Sequence, residues 1–476
     1  KRKNTYRSAW KAITHWTSPL ANLIPIIKSQ SSLSQLTKGN IEIAVVSICP
    51  IEKPVAKLLL KSQLVPLFTP VKKWLLKSIL HAKNEDFSAF SLLKEEINYL
   101  HETCTDTHAK VIQRASDIEP GKLNLIISIE GGHSLVNGNT SHDILENLKA
   151  LKQGPDRVLY FTLTHLAQNA LANHAYAMKK VLGKHPAEEA FFPSSTGLSR
   201  LGTQVISRMY EEKDGQRIMV DIKHLSLKSR LELYKLRQEN NWQDIPLIAS
   251  HCAVTGFPHA QLPDRILMEG SYVKGRRLAL RYRLHPTEEG LTFNPWSINL
   301  YDEEITEIIN SGGLIGLSLD ERILGNNRRR VVTEEEWFYL PEMKKLFPSI
   351  EEKITSESQF SLPLANRKRP PHLWFLAHNI LHIVKVGGPQ AWEHMCLGSD
   401  FDGLINPIRG IRHTGKYSKL ENSTDSKRRR RGKDLVYALE HLSRREPDLG
   451  WPIQNLEQKV RGIMYNNALR FIQQHL

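Results

Sequence analysis

The sequence predicts an α/β fold, a TIM-type (β/α)8 barrel with long loop insertions, and three observations carry that prediction. Short, nearly continuous apolar runs alternate with longer helical stretches, the pattern of a parallel sheet whose strands are covered on both faces by crossover helices. Six polar residues stand at or just beyond the ends of these runs: Glu130, His165, His224, His251, Asp320 and Asp400. A closed barrel gathers such strand ends at one mouth. No GxGxxG or GxxxxGKS/T loop follows an early run, so the main signature of an open doubly wound sheet is missing.

The elements follow in order. Residues 41–49 (IEIAVVSIC) form the first apolar run and 86–101 the first helix; 123–129 (LNLIISI) is the next strand, followed by a helix at 141–152. A third strand at 158–164 precedes a helix at 199–212, and a fourth at 217–222 precedes one at 226–239, with Ser226 suited to its N-cap. The fifth strand is 246–250, then a Pro-punctuated excursion over 255–295 and a helix at 302–311. The sixth is 313–319, followed by a charged insertion at 327–371 and a helix at 373–386. The seventh is 395–399, followed by a polar, basic insertion at 405–433. Residues 462–473 read as a closing helix, which Asn467 and Arg470 fix to the barrel. Seven strands are one short of closure; the missing one is expected to be the first, ahead of Lys1. One barrel domain is expected over 1–476.

Composition removes several classes. The 476 residues are 40% hydrophobic and 24% charged, which is globular rather than disordered. Four cysteines without a CxxC pair exclude zinc ribbons and thioredoxin-type chemistry. No apolar run approaches the ~18 residues of a membrane span, and no leader pattern opens the chain, so a cytoplasmic location is expected. The net charge of +15 includes the basic runs 427–431 and 328–330. Without zinc-finger spacing, an aromatic-basic signature or a basic heptad region, they read as solvated loops rather than a nucleic-acid site.

The chemistry lies in four residues that closely follow apolar strands: Glu130 in ISIEGGHS, His224 in VDIKHLS, His251 in IASHCA and Asp400 in GSDFDG. One carboxylate with two imidazoles is how hydrolytic zinc is commonly held, leaving a position for water. A bridging carboxylate with a second one beyond makes a two-metal site. Singly, each has a plainer reading: His224 as lead-in to the cap, Asp400 and Asp402 as a turn, Gly131-Gly132 as punctuation. His165 is either a satisfied core histidine or a group that orients substrate and steadies an oxyanion. His133 and Cys252 read as structural.

These motifs resemble the membrane dipeptidase (renal dipeptidase) family of zinc peptidases, in a bacterial-type branch. Glu130-Gly131-Gly132-His133-Ser134 looks like the family's EGGHS, and Leu163-Thr164-His165 with Asn169 and Ala172 like its LTH segment. Gly197-Leu198-Ser199 through Asp221-Ile222-Lys223-His224-Leu225-Ser226 is similar to its GLT…DLAH-S stretch, and Ser250-His251 to its SHS. Gly398-Ser399-Asp400-Phe401-Asp402-Gly403 looks like G-DFDG, and Asn467-Ala468-Leu469-Arg470 like the closing N-LR. The resemblance implies two divalent metal ions, expected to be Zn2+, with Glu130 bridging. It gives one ion His224 and His251, puts Asp400 at the metal centre as proton carrier, and sets His165 on the substrate.

Two departures stand out. The family's His-x-Asp or His-x-His pair on the first strand has no counterpart in residues 1–40, so the expectation is either that the pair lies ahead of Lys1 or that one metal site is incomplete. The substrate-carboxylate arginine has only Arg276, Arg277, Arg281 and Arg283 as candidates. The function expected is a metal-dependent hydrolase, a dipeptidase acting on a dipeptide or similar small substrate through a metal-activated hydroxide. The alternatives are another amidohydrolase activity on the same barrel, such as lactone, cyclic amide or deaminase chemistry, or a noncatalytic binding protein. A homodimer is compatible with the family pattern.

Overall fold

All seven predicted strands form one curled parallel sheet in the computed structural model, which describes residues 29–61, 88–105, 108–138, 142–178, 188–326, 332–352, 354, 370–403, 405–417, 420, 434–445 and 453–476. The strands are β1 (Ile43–Ile48), β3 (Leu123–Glu130), β4 (Val158–Thr162), β5 (Met219–Asp221), β6 (Ile248–Cys252), β9 (Leu314–Leu317) and β11 (Met395–Leu397). They pair in the order β1-β3-β4-β5-β6-β9-β11. Three-residue β2 (Ala109–Val111) adds to β3 at Leu123–Leu125, below the point where β4 begins to pair. Among the described residues no strand joins the outer edges of β1 and β11, so the curl stays open on that side.

Helices fill the crossovers at Ala89–Thr105, Ile144–Gln153, Arg200–Tyr210, Leu227–Glu239, Asp302–Asn310 and His372–Gly387, each within a few residues of its predicted place. Ser226 caps its helix by accepting the Ser229 N–H. The predicted closing helix is divided: a π-helical turn at Gly462–Asn466 separates Leu456–Arg461 from Asn467–His475. Asn467 there donates to the carbonyls of Trp392 and Met395, and Arg470 pairs with Glu393.

β3 shows how the sheet divides its side chains. Leu125, Ile127 and Ile129 belong to the large core beneath the helices, whereas Ile126 belongs to a separate inner core with Leu159, Met219, Ile248 and Leu314. The period of two thus sets even-numbered β3 residues inside the curl. Phe471 and Ile472 of the last helix pack against that inner core, filling one end and leaving the C-terminal strand ends as the open mouth.

The insertions hold structure that the sequence pattern does not announce. β7 (Ile266–Lys274), β8 (Arg277–Tyr282) and β10 (Glu336–Tyr339) make a three-stranded antiparallel sheet, order β10-β8-β7. It rests on its own apolar cluster, including Tyr176, Phe192, Trp296 and Trp337. The basic runs 328–330 and 427–431 lie outside the described residues. No helix among the described residues is long and apolar enough to cross a membrane.

Candidate metal centre

Glu130 ends β3 on the inner column begun by Asn124, Ile126 and Ser128, so its carboxylate stands at the mouth. The chain leaves through Gly131 at φ +95°. A Cβ there would lie 2.4 Å from the His133 ring, so both the backbone angle and the packing require glycine.

His251 reaches the same point through a bulge. Simple alternation from Ile248 would turn residue 251 outward. The β6–β9 register instead shifts between Ala249 and Cys252, and Cys252 joins Ala249 in the outer core. The extra residue brings Ser250 and His251 inward together. His224 sits in the turn after β5 with φ +65°, held where its carbonyl accepts the Ala175 N–H at 2.8 Å.

The three ligand atoms form a near-equilateral triangle. His224 Nε2 is 3.2 Å from Glu130 Oε1 and 3.2 Å from His251 Nε2, and His251 Nε2 is 3.7 Å from Glu130 Oε1. A point equidistant from atoms so spaced lies about 2 Å from each, the length of zinc bonds to nitrogen and carboxylate oxygen. Protonation states agree. Burial, then the charges of His165 and Lys223, hold His224 well below the usual imidazole range; burial, then Lys223, does the same for His251. Neutral imidazole is the form that ligates. The Ser250 hydroxyl donates to Asp221 at 2.6 Å and therefore accepts from His251 Nδ1 at 2.8 Å. The remaining lone pair is then on Nε2, aimed at Glu130. The residues present fit a divalent cation.

His165 follows β4 and is buried. Its Nε2 is 3.7 Å from Glu130 Oε1, and its ring meets that of His224 edge-on at 4.8 Å. Burial pulls its pKa down, but the charges of Glu130 and Glu52 outweigh that and raise it. Cys49, Glu130 and His165 form a second group whose ligand atoms lie within 4.8 Å of one another, so Glu130 belongs to both candidate groups. Asp400 is in neither group, yet it lines the same cavity. Burial and the neighbouring Glu130 charge push its carboxyl well up. Asp320 is bound by Arg322 at 2.8–2.9 Å.

The cavity has a volume of about 780 Å³ and contains Glu130, His165, His224, His251 and Asp400 together. It also holds three cations that strand-end reasoning did not single out, Lys223, Arg322 and Arg461. Arg276, Arg277, Arg281 and Arg283 do not line it. Arg281 pairs with Glu335 and Arg277 with Glu189. Asp221 and Ser250 were visible as polar residues within apolar strands, but their role needs the β5–β6 pairing. Glu52 carried no signal at all. His133 donates Nε2–H to the Pro50 carbonyl at 2.7 Å, and Cys252 is fully buried in the core.

Fold and site together define a class: a curled α/β sheet with a candidate metal centre at its C-terminal mouth. The chain belongs to the membrane dipeptidase family (peptidase family M19), whose family model matches residues 16–269 and 289–427. The unmatched stretch between them includes β8 and much of the β7–β8 hairpin. Over 44 residues the chain is 50% identical to an uncharacterized dipeptidase of Schizosaccharomyces pombe, covering 9% of this chain and 10% of that protein. Among solved structures it is similar to an amidohydrolase from Pseudomonas aeruginosa, at 15% identity and TM-score 0.47 over 98% of each chain. It is also similar to a metallo peptidase from Rhodobacter sphaeroides liganded with a phosphinate mimic of the dipeptide L-Ala-D-Ala. That likeness has 14% identity and TM-score 0.49, covering 94% of this chain and 91% of the other.

Proposed function

We propose that this protein is a metal-dependent hydrolase, a dipeptidase that cleaves the amide bond of a dipeptide or similar small substrate. The observation that carries the reading is the Glu130–His224–His251 triangle in a chain of the membrane dipeptidase family. Zinc is the metal we favour, with Glu130 as the residue that two ions would share and Asp400 serving the second. A divalent ion bound there lowers the pKa of water to about 7 and polarises a carbonyl.

The chain's own residues do the rest. Glu130, His224 and His251 hold the ion, and the Asp221–Ser250 pair keeps His251 Nε2 free to ligate. His165 Nε2 faces the carboxylate cluster from one side and is placed to meet the substrate carbonyl as charge develops on its oxygen. Asp400, which lines the same cavity as Glu130, is the carboxyl we assign to carry a proton to the leaving amine. Lys223 and Arg322, two of the cations that line the cavity, are the groups we assign to a substrate carboxylate.

The test is His251→Ala in the full chain, with metal content and dipeptide turnover measured on one preparation. We expect metal to be lost from the triangle and turnover to fall at least 100-fold, as expected when a ligand is removed. Wild-type metal content with full activity would show the assignment to be wrong. Running lactones and cyclic amides beside L,L- and L,D-dipeptides separates the dipeptidase from other amidohydrolase chemistry on the same fold.

A further inference from the structure

We propose that Glu52 is a positioning residue for His165: its buried carboxylate accepts the His165 Nδ1–H and fixes the ring with Nε2 turned to Glu130 and the cavity. The proposal rests on the reading of His165 as the group that meets the substrate carbonyl.

Glu52 lies four residues past the end of β1 and immediately before the helix Lys53–Lys61. It is 4% exposed, and a carboxylate so enclosed must be paired or strongly destabilise the fold. Its two oxygens have separate tasks. Oε1 accepts the Ala167 N–H at 3.2 Å, while Oε2 faces His165 Nδ1 at 3.4 Å. Ala167 lies two residues beyond His165, so one carboxylate holds both the loop and the ring it carries.

The neighbouring histidine narrows the possibilities. His133 Nδ1 is 3.8 Å from Glu52 Oε1, but its Nε2 already donates to the Pro50 carbonyl, since a carbonyl can only accept. His165 is the nearer imidazole. With Nδ1–H held by Glu52, Nε2 is the atom directed at Glu130 Oε1, 3.7 Å away, and its own N–H is the one a substrate carbonyl oxygen would accept, so both ring nitrogens act as donors. A carboxylate behind an imidazole fixes tautomer and orientation in just this way. Flipping the ring would cost the buried carboxylate its partner.

Glu52→Gln tests the contact. The glutamine carbonyl is still needed by the Ala167 N–H, which turns the amide NH2 toward His165 Nδ1 and leaves that nitrogen no acceptor, so the ring loses its Nδ1 proton and the contact that orients it. We expect kcat to fall about 10- to 100-fold, with KM within about threefold and zinc content at the wild-type level. In a double-mutant cycle, Glu52→Gln should add no further loss to His165→Ala. In zinc-loaded, histidine-15N-labelled full chain, the His165 signals, identified by their absence in His165→Ala, should show a protonated Nδ1 that Glu52→Gln deprotonates. An unprotonated Nδ1 in the wild type, or a Glu52→Gln loss as large in His165→Ala as in the wild type, would overturn the proposal. A wild-type protein that hydrolyses no dipeptide would defeat the functional reading instead, and the NMR result would still decide the Glu52–His165 contact.

Discussion

His224 occupies left-handed backbone space, φ +65°, where a non-glycine residue stores about 1–3 kcal/mol of strain. The surrounding hydrogen bonds hold it there: Ala175 N–H to the His224 carbonyl and Ser226 N–H to the Asn173 carbonyl. Strain tolerated at a proposed ligand is what a side chain that must point one way requires. A second costly residue lies far from the mouth. Glu96, on the helix Ala89–Thr105, is 1% exposed, and neither carboxyl oxygen has a hydrogen-bond partner among the described residues. Burial, with a smaller contribution from Glu95, raises its pKa from 4.5 to about 8. The folded chain therefore holds a proton there that the unfolded chain releases near 4.5, and stability falls as pH rises between those values. Glu96→Gln should remove a cost of about 3 kcal/mol at pH 7. Urea unfolding at pH 5 and pH 8 checks this: the variant should gain over the wild type at pH 8 and not at pH 5. An equal difference at both values would contradict it.

At the scale of elements, the bulge in β6 needs room on the neighbouring strands. A Cβ at Gly316 of β9 would lie 2.0 Å from the Ser250 carbonyl oxygen, and one at Gly398, just past β11, 1.9 Å. Backbone cannot yield as a flexible side chain does. Gly398→Ala should therefore cost about 1–3 kcal/mol of stability and weaken zinc binding by displacing Ser250 from His251. A thermal scan with a competitive zinc titration checks both, and wild-type values in each would refute the argument. The seven parallel strands were legible because each is apolar on both faces and bounded by polar residues. The antiparallel sheet was not. β8 pairs with β10 between residues more than 50 positions apart, as in Leu280 with Glu336, and the prolines and arginines around it read as loop. Ser250 and His251 could not both be set inside from the sequence, because a bulge breaks the alternation on which such reasoning depends.

Across the whole molecule, residues from β3 to the turn after β11 converge on one cavity. The acid and two imidazoles were legible from their positions after apolar runs. Glu52, Lys223 and Arg322 were not, because their importance comes from distances across loops that no local pattern encodes. The mouth concentrates Glu130, Asp320 and Asp400, and burial first, then the Glu130 charge, pushes the Asp400 carboxyl up. Burial of like charges is unfavourable until a cation enters, so metal and fold should be coupled. Saturating zinc is expected to raise the thermal midpoint of the stripped full chain, and to do so much less in His251→Ala. The most direct test of the central claim is to strip the full chain with a chelator and titrate zinc back while following hydrolysis of L,L- and L,D-dipeptides. The account predicts no turnover in the stripped protein and a return of activity in proportion to zinc bound. Undiminished turnover without metal would contradict it.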